Sequence, residues 1–303
     1  MKKILIIAGG GTKHMEPFKL EGEKLGLKVV TASFSDLSYS TEGELQLAVK
    51  DEPVDSFDVI YIRLVGKRFE DVSLLVNFAK EKRIRIVDKI YEKSHIIRLP
   101  IAKALEVKLL SQAGVVLPKT FFAKLSEIKQ KAPELYGFPF VIKGTTGKQG
   151  HAVWSPRNNE ELEKLYQELK GKEKEGKRFL AQEFIDASQR NRVFVVGGKA
   201  IAAITRPTRW RRRFIAKVNG EFPEGKREAL MPIPEEDVNL AIAAASALDV
   251  DIGGVDIIHE DATGKAYVLE VNSAPRWDSI TKDTGVNVER EILLYLESIM
   301  SEK

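Results

Sequence analysis

Residues 253–275 read "GGVDIIHEDATGKAYVLEVNSAP", two apolar runs on either side of a short polar turn. The pattern predicts an antiparallel hairpin. With its turn centred on Thr263, residues whose numbers sum to 526 face each other, which sets Asp256 opposite Glu270. Glu270 and Asn272 are two apart and share a face of their strand. Three oxygen-bearing side chains therefore converge on one patch, flanked by Val255, Ile257, Leu269 and Val271. Carboxylates set among apolar residues are costly unless something positive meets them. Two kinds of partner suit them. One is a hard cation, of which Mg²⁺ normally arrives with nucleotide phosphates; the other is an ordinary salt-bridge network with arginines such as Arg192 or Arg206. Oxygen donors with no cysteine or histidine on the same face favour the cation.

The rest of the chain has to supply a fold that presents this hairpin. At 303 residues it is too long for one ordinary core, so two or three lobes with a cleft between them are expected. Lys and Arg total 48 against 44 Asp and Glu, a formal charge of +4, which is not the field of an obligate nucleic-acid binder. There is no cysteine, which excludes disulfides, thiolate nucleophiles and Cys-built zinc sites. "MKKILIIAGGG" begins like a signal peptide, but Ile4 to Ala8 is shorter than the roughly 7–15 apolar residues a signal needs. No stretch approaches the ~18 apolar residues of a membrane span. The expected location is cytoplasmic, with no membrane partner.

From Lys3 to about Arg85, β-branched runs ("KILIIAG", "FDVIYIRLV") alternate with amphipathic segments, which predicts a parallel sheet with helices packed on it. Gly9, Gly10 and Gly11 follow the first strand, yet the third glycine of a dinucleotide fingerprint would fall at His14, so a tight strand-to-helix turn is the reading preferred here. A helical pattern over 93–112 stops at Gly114, and "VVLPKTFF" continues as an edge strand. A helix near 125–134, the strands "FPFVIK" and "HAVW", and a charged helix from about 158 to 171 follow, with "GKEKEGKR" read as a solvated turn. Beyond it, "RFLAQEFI" is a strand, "RVFVVGGKAIAAITR" a hairpin about Gly-Gly, and "PEEDVNLAIAAASALDV" a helix. The expected organisation is an α/β N-terminal domain over 1–92 with a parallel sheet, then α+β lobes over 93–303 with mixed, largely antiparallel sheets. Within the second part, a central lid lobe spans about 115–182 and a C-terminal lobe about 183–303.

"VIKGTTGKQGHAVW" (141–154) is not a Walker loop, because Ile142 stands where the first glycine belongs and Gln149 follows Lys148. Its composition still suits phosphate. Gly144, Gly147 and Gly150 allow close backbone approach, while Thr145, Thr146 and Gln149 add donors. Lys143 closes a buried-looking strand and projects from a fixed base, so the stretch reads as a mobile lid beside a fixed cation. The competing reading is a plain glycine-rich hairpin with a solvated Lys148.

"VIKGTTGKQG", "LAQEFI", "GGVDI" and "LEVNSAP", in that order and spacing, resemble the ATP-grasp superfamily, and in particular its RimK-type glutamate ligases and LysX-type ligases of lysine biosynthesis. "FDVIYIRLVG" and "AKALEVKLLSQAGVVLPKT" extend the likeness over nearly the whole chain. The resemblance implies ATP held between two antiparallel sheets. It implies Lys103 and Lys143 on the phosphates, with Thr145, Thr146, Gly147, Gln149 and Gly150 in the lid. Gln182, Glu183, Phe184 and Ile185 would form the adenine hinge, and Asp256, Glu270 and Asn272 the Mg²⁺ site, which could also take Mn²⁺. Arg192 and Arg206 would face an acyl phosphate and substrate. Lys217 and Asn219 are the nearest match to an Arg-x-Asn pair that the family places by the phosphates. The implied reaction is carboxylate–amine ligation: ATP phosphorylates a carboxylate, and an amine displaces the phosphate.

Departures from the family pattern are Arg190 in place of an aspartate, Ala102 before the first lysine, and Arg276-Trp277 after "NSAP". "TRPTRWRRRFIAK" also packs Arg206, Arg209, Arg211, Arg212, Arg213 and Lys217 around Trp210. The strip suits an acidic peptide or protein-tail substrate, a solvated loop, or single-stranded nucleic acid, which the balanced charge disfavours. The expected partners are ATP and a small carboxylate with an amine or acidic peptide, and a homo-oligomer stays open. The alternative is a nucleotide-sensing or nucleic-acid-binding protein on the same fold without ligase activity.

Overall fold

The computed structural model describes residues 2–40, 46–92, 103–145, 152–208 and 227–301. Val, Ile and Leu runs buried on both faces form the parallel sheet expected of the first part. Its strands lie in the order Lys28–Ser33, Lys3–Ala8, Val59–Leu64, Arg85–Val87. Helices Glu16–Lys24 and Phe69–Glu81 cover it, the second burying Val72, Leu75, Val76, Phe78 and Ala79. Gly9 ends the first strand under a steric demand: a Cβ there would lie 1.9 Å from the carbonyl oxygen of Val65. A small antiparallel sheet of Leu37–Ser40, Gln46–Val49 and Glu52–Pro53 follows the second strand. The sequence reading missed it, because these strands are short and interleaved with polar residues.

The next unit is an antiparallel sheet ordered Val153–Trp154, Phe140–Gly144, Phe179–Glu183, Thr120–Ala123, so the strand after Pro118 is an edge strand as expected. Helices Leu125–Tyr136 and Asn159–Lys174 pack on one face around Ile128, Ala132, Phe140, Leu165 and Leu169. The second helix starts at Asn158, whose side chain accepts the Glu161 N–H at 2.9 Å. It runs three residues beyond the expected end at 171 and takes up the first half of "GKEKEGKR". Leu169 is buried in the last turns, and the acids and lysines that suggested a turn lie along a solvated face. The described part of the 93–112 helix is Lys103–Gln112, and Gly114 beyond it takes φ +74°.

The last sheet has five strands, in the order Glu228–Ala229, Lys199–Pro207, Gln189–Val196, Ile252–His259, Ala266–Asn272, all antiparallel. Gly197 and Gly198 turn its first hairpin at φ +55° and +76°, the geometry that a two-residue loop of this hand requires. Helix Glu235–Ala247 lies on one face through Ala241, Ala244 and Ala245. Helices Asp278–Thr284 and Val288–Met300 close the chain.

One core joins the two ends of the chain. Ile4 and Ile6 of the parallel sheet share it with Phe194 and Ala202 of the five-stranded sheet and with Leu293 and Leu296 of the last helix. Trp277 is its keystone, 4% exposed, with Phe18 and Phe194 packed edge-on at 5.9 and 5.8 Å. Arg63 stacks 4.1 Å over its ring and donates to the Pro275 carbonyl at 2.5 Å. The unusual tryptophan after "NSAP" therefore serves packing. Asp88, fully buried, accepts the N–H groups of Asp251 and Ile252, each at 2.8 Å, and ties the parallel sheet to the strand that carries Asp256.

Candidate functional site

The hairpin of Ile252–His259 and Ala266–Asn272 sets Asp256 opposite Glu270, as its register predicts. Pairs summing to 526 run only from Gly254–Asn272 to Asp256–Glu270; the register then shifts by one, and Ile257 pairs with Val268. Leu269 is the extra residue of a β-bulge, and this bulge keeps Glu270 on the face of Asp256. On the neighbouring strand Arg192 pairs with Asp256, and Arg190, two residues away, pairs with Arg206 on the strand beyond. The site face thus carries Arg190, Arg192, Arg206, Asp256 and Glu270 by strand alternation.

Asp256 has no solvent exposure. Arg192 grips it from both nitrogens of its fork, Nε to Oδ1 at 2.6 Å and Nη2 to Oδ2 at 2.9 Å. Arg190 adds Nη1 at 3.2 Å from Oδ2. The Arg190 Nε is buried without a hydrogen-bond partner among the described residues. Glu270 receives Lys103 Nζ at 2.8 Å and Asn272 Nδ2 at 3.2 Å. Burial alone would raise its carboxyl, but the Lys103 charge and hydrogen bond hold it far below the usual carboxylate range. Burial opposes the charge on Lys103 in turn, and Glu270, Glu106 and Asp256 together outweigh it and raise the ammonium above its ordinary value.

Lys103 is the first described residue of its helix, and its N–H donates to the Thr145 carbonyl at 3.2 Å, where the glycine-rich stretch begins. One turn on, Glu106 is 6% exposed and accepts the Val271 N–H at 2.7 Å. Burial pushes its carboxyl up to about 7. The sequence reading did not single out Glu106; its only signal is an acid three residues after Lys103 in an apolar stretch.

On the facing sheet, Lys143 donates from Nζ to Gln182 Oε1 at 2.6 Å, and Gln182 Nε2 donates to Thr120 Oγ1 at 2.8 Å. Burial, with the Lys103 charge next, lowers the Lys143 ammonium to about 8. Glu270, Glu106 and Arg190 also act on it, so the two sheets present one electrostatic site. Glu183 accepts the Lys119 N–H at 2.7 Å, which fixes the end of the hinge strand. Phe184 and Ile185 follow that strand, with Ile185 packed beside Ala187, Ile258 and Tyr267. Thr145 is buried, its N–H given to the Arg178 carbonyl at 2.9 Å. Thr146, Gly147, Gln149, Gly150, Lys217 and Asn219, and most of the arginine strip, lie outside the described residues.

The structure thus brings Lys103, Lys143, Gln182, Arg192, Asp256, Glu270 and Asn272 together and adds Arg190 and Glu106. Among the described residues, no group of three or more acids, histidines or cysteines is placed to hold a metal. Asp256, Glu270 and Asn272 still form an all-oxygen set of two carboxylates and an amide carbonyl, the chemistry of a hard cation. Their carboxylate oxygens here are met by Arg190, Arg192 and Lys103. Cation and arginine are therefore competing partners for Asp256. No helix among the described residues is long and apolar enough to cross a membrane.

Comparison with known proteins places the chain in a family and its fold beside solved structures. Residues 101–296 match the RimK-like ATP-grasp domain. A probable alpha-L-glutamate ligase of Vibrio atlanticus (strain LGP32) is 33% identical over 202 residues, covering 64% of this chain and 62% of the relative. One of Aliivibrio fischeri (strain MJ11) is 31% identical over 208 residues, covering 66% and 64%. The chain thus spans less than two thirds of the length of these curated relatives. Among solved structures, the ATP-grasp ligase PsnB complexed with a minimal precursor superposes with a TM-score of 0.72 at 15% identity, covering 98% of this chain and 99% of that one. An ATP-grasp ligase of Chryseobacterium gregarium, in complex with ADP and a leader and core peptide, gives 0.68 at 17%, covering 98% and 97%. These two likenesses establish the fold, a parallel N-terminal sheet followed by antiparallel ones.

Proposed function

This chain belongs to the RimK-like ATP-grasp family, and we propose on that footing that it is an ATP- and Mg²⁺-dependent carboxylate–amine ligase that works through an acyl phosphate. The observation that carries this reading is the charge of the site. Four cationic side chains, Lys103, Lys143, Arg190 and Arg192, act on Asp256, Glu270 and Glu106, and burial pushes the Glu106 carboxyl up to about 7, so the facing sheets carry a surplus of positive charge. Such a surplus is costly unless a polyanion meets it, and a nucleotide phosphate chain does so. The central lid lobe over about 115–182 and the C-terminal lobe over about 183–303 would be the two jaws of the cleft, with residues 1–92 as the preceding domain.

Each group has a part to play. Lys143, braced by Gln182 at 2.6 Å, would hold phosphate oxygens from the hinge side. Lys103, on a helix tied to the start of the glycine loop, would hold them from the other. Thr145, Thr146, Gly147, Gln149 and Gly150 would close over the nucleotide and keep water from the acyl phosphate, with Lys217 and Asn219 near the phosphates. Gln182 to Ile185 would meet the adenine edge. Asp256, Glu270 and Asn272 would hold Mg²⁺, which supplies charge neutralisation across the transferring phosphoryl group. Arg192 and Arg206 would stabilise the charge that develops as the amine attacks. The amine substrate proposed first is glutamate, because the curated relatives are named for it, with a small carboxylate or acidic peptide as the group to be activated.

A second reading, nucleotide binding without ligation, is favoured by one observation: Arg190 and Arg192 together saturate Asp256. One experiment separates the two. The protein is incubated with ATP, Mg²⁺, glutamate and a panel of carboxylates and acidic peptides, and ADP and products are followed by mass spectrometry. ADP with a ligated product supports the ligase. Nucleotide binding with no product from any acceptor supports the second reading, and no nucleotide binding overturns both.

A further inference from the structure

The glycines after the first strand are not fully explained by the turn they make. Gly9 has a steric reason, the 1.9 Å approach to Val65. Gly10 and Gly11 have none: a Cβ on either would meet nothing within 4 Å, and neither takes a left-handed φ. Both are exposed, and both line a cavity of about 370 Å³.

That cavity lies at the carboxyl end of the parallel sheet. The chain passes from Lys3–Ala8 to the strand on one side, Lys28–Ser33, and then crosses to Val59–Leu64 on the other, so the order reverses at the first strand. The crevice beyond such a reversal is where open α/β sheets take ligands. Segments after all three strands line it: Gly9 to Thr12, then Ser33, Ser35 and Asp36, then Arg68, with Lys50 from the small sheet. None of these belongs to the cluster around Asp256.

The lining is chosen for an anion. Lys50 and Arg68 reach it from separate segments, and among the described residues each has a loose acidic partner, Asp36 at 3.8 Å and Asp71 at 3.8 Å. Lys50 also donates to the Thr31 carbonyl at 2.9 Å, which anchors its ammonium. Thr12, Ser33 and Ser35 add hydroxyls. Asp36 is committed within the fold, since it accepts the Ser33 N–H at 2.8 Å. Two cations, three hydroxyls and two glycines that leave the backbone bare make a cradle for tetrahedral or planar oxyanions.

We propose that this cavity is a second ligand site, on the N-terminal domain, for a small metabolite bearing a phosphate or carboxylate group. Phosphate and carboxylate share the chemistry, and the test separates them. The full chain is titrated calorimetrically with inorganic phosphate in one arm and L-glutamate in another, each repeated with ADP and Mg²⁺ present to fill the nucleotide site and with sodium chloride at matched ionic strength as control. The same titrations are run on Arg68→Ala and on the double variant Gly10→Ala/Gly11→Ala, whose added methyl groups meet no protein atom and so leave the fold intact. The expected result is saturable binding of one probe that persists with ADP present, weakens roughly tenfold or more in Arg68→Ala, and is lost in the double variant, with ADP affinity unchanged. Binding of neither probe, or equal binding by wild type and both variants, overturns the site. Either result leaves the ligase reading standing, because that reading is judged on ADP and product.

Discussion

The grip on Asp256 makes a quantitative prediction that bears on the metal. Removing one partner of a buried ion pair leaves an uncompensated charge and costs about 3–5 kcal/mol. Asp256 is wholly enclosed, whereas the Arg192 and Arg190 side chains keep 19% and 22% of their exposure. Water at the arginines discounts the figure, and Arg190 stays at 3.2 Å when Arg192 is lost. Arg192→Met should therefore cost about 2 kcal/mol, below the range for a fully buried pair. Asp256→Asn, which strands two guanidinium groups, should cost about 3 kcal/mol. The double variant removes both charges and should cost clearly less than the sum, with a coupling of about 1.5 kcal/mol or more. Urea unfolding followed by tryptophan fluorescence supplies the four free energies. The cycle is then repeated with Mg²⁺ and ADP, where the coupling should shrink because the carboxylate is shared with the cation. Additive costs within about 0.5 kcal/mol would show that the grip is not energetically real. A coupling unchanged by Mg²⁺ and ADP would remove Asp256 from the metal site.

Three further outcomes follow from particular side chains. Lys143 is lowered to about 8 by burial and by Lys103; a bound phosphate chain should restore it, so ADP binding at pH 8 should take up about half a proton and weaken as pH rises beyond. Calorimetry in buffers of different ionisation heat measures this, and uptake that persists in Lys143→Met would assign it elsewhere. Glu106 is raised by burial to about 7 from an ordinary 4.5, so its contribution to stability is full at pH 4 and lost as pH climbs through 7. Between pH 6 and 8 the wild type should lose stability relative to Glu106→Gln, and parallel pH profiles would refute the burial argument. Gly197→Ala must hold φ +55° with its Cβ 2.2 Å from the Tyr295 ring, and should destabilise by roughly 2 kcal/mol in the same urea assay; a neutral result would mean that the last helix moves aside freely.

The parts of the site legible in sequence are those set by short-range periodicity. Asp256 and Glu270 sit on one hairpin, strand alternation has period two, and one guess at the turn is enough to bring them together. That success has a more exact cause than the guess implies. Near the turn the pairing is one residue away from the assumed register, and the bulge at Leu269 restores it at Glu270. Without that extra residue, Asp256 would oppose Leu269 and the acid would leave the site face, so the bulge is a requirement of the site. No pattern of apolar residues announces it, because a bulge keeps the composition and changes only the count. The Lys103 bond to Glu270 and the Glu106 bond to Val271 join residues 167 and 165 positions apart, and neither end records the other. In sequence Trp277 is only a departure from the family pattern; its burial between Phe18 and Phe194 depends on how two sheets dock, which lies outside the reach of a local pattern. Arg190 shows the same limit most clearly. Family comparison marks it as a departure, but only the three-strand register shows that it joins Arg192 on Asp256, and so that cation and guanidinium contend for one carboxylate. Any account of metal use by this chain must therefore begin from that contest rather than from the three oxygen donors alone.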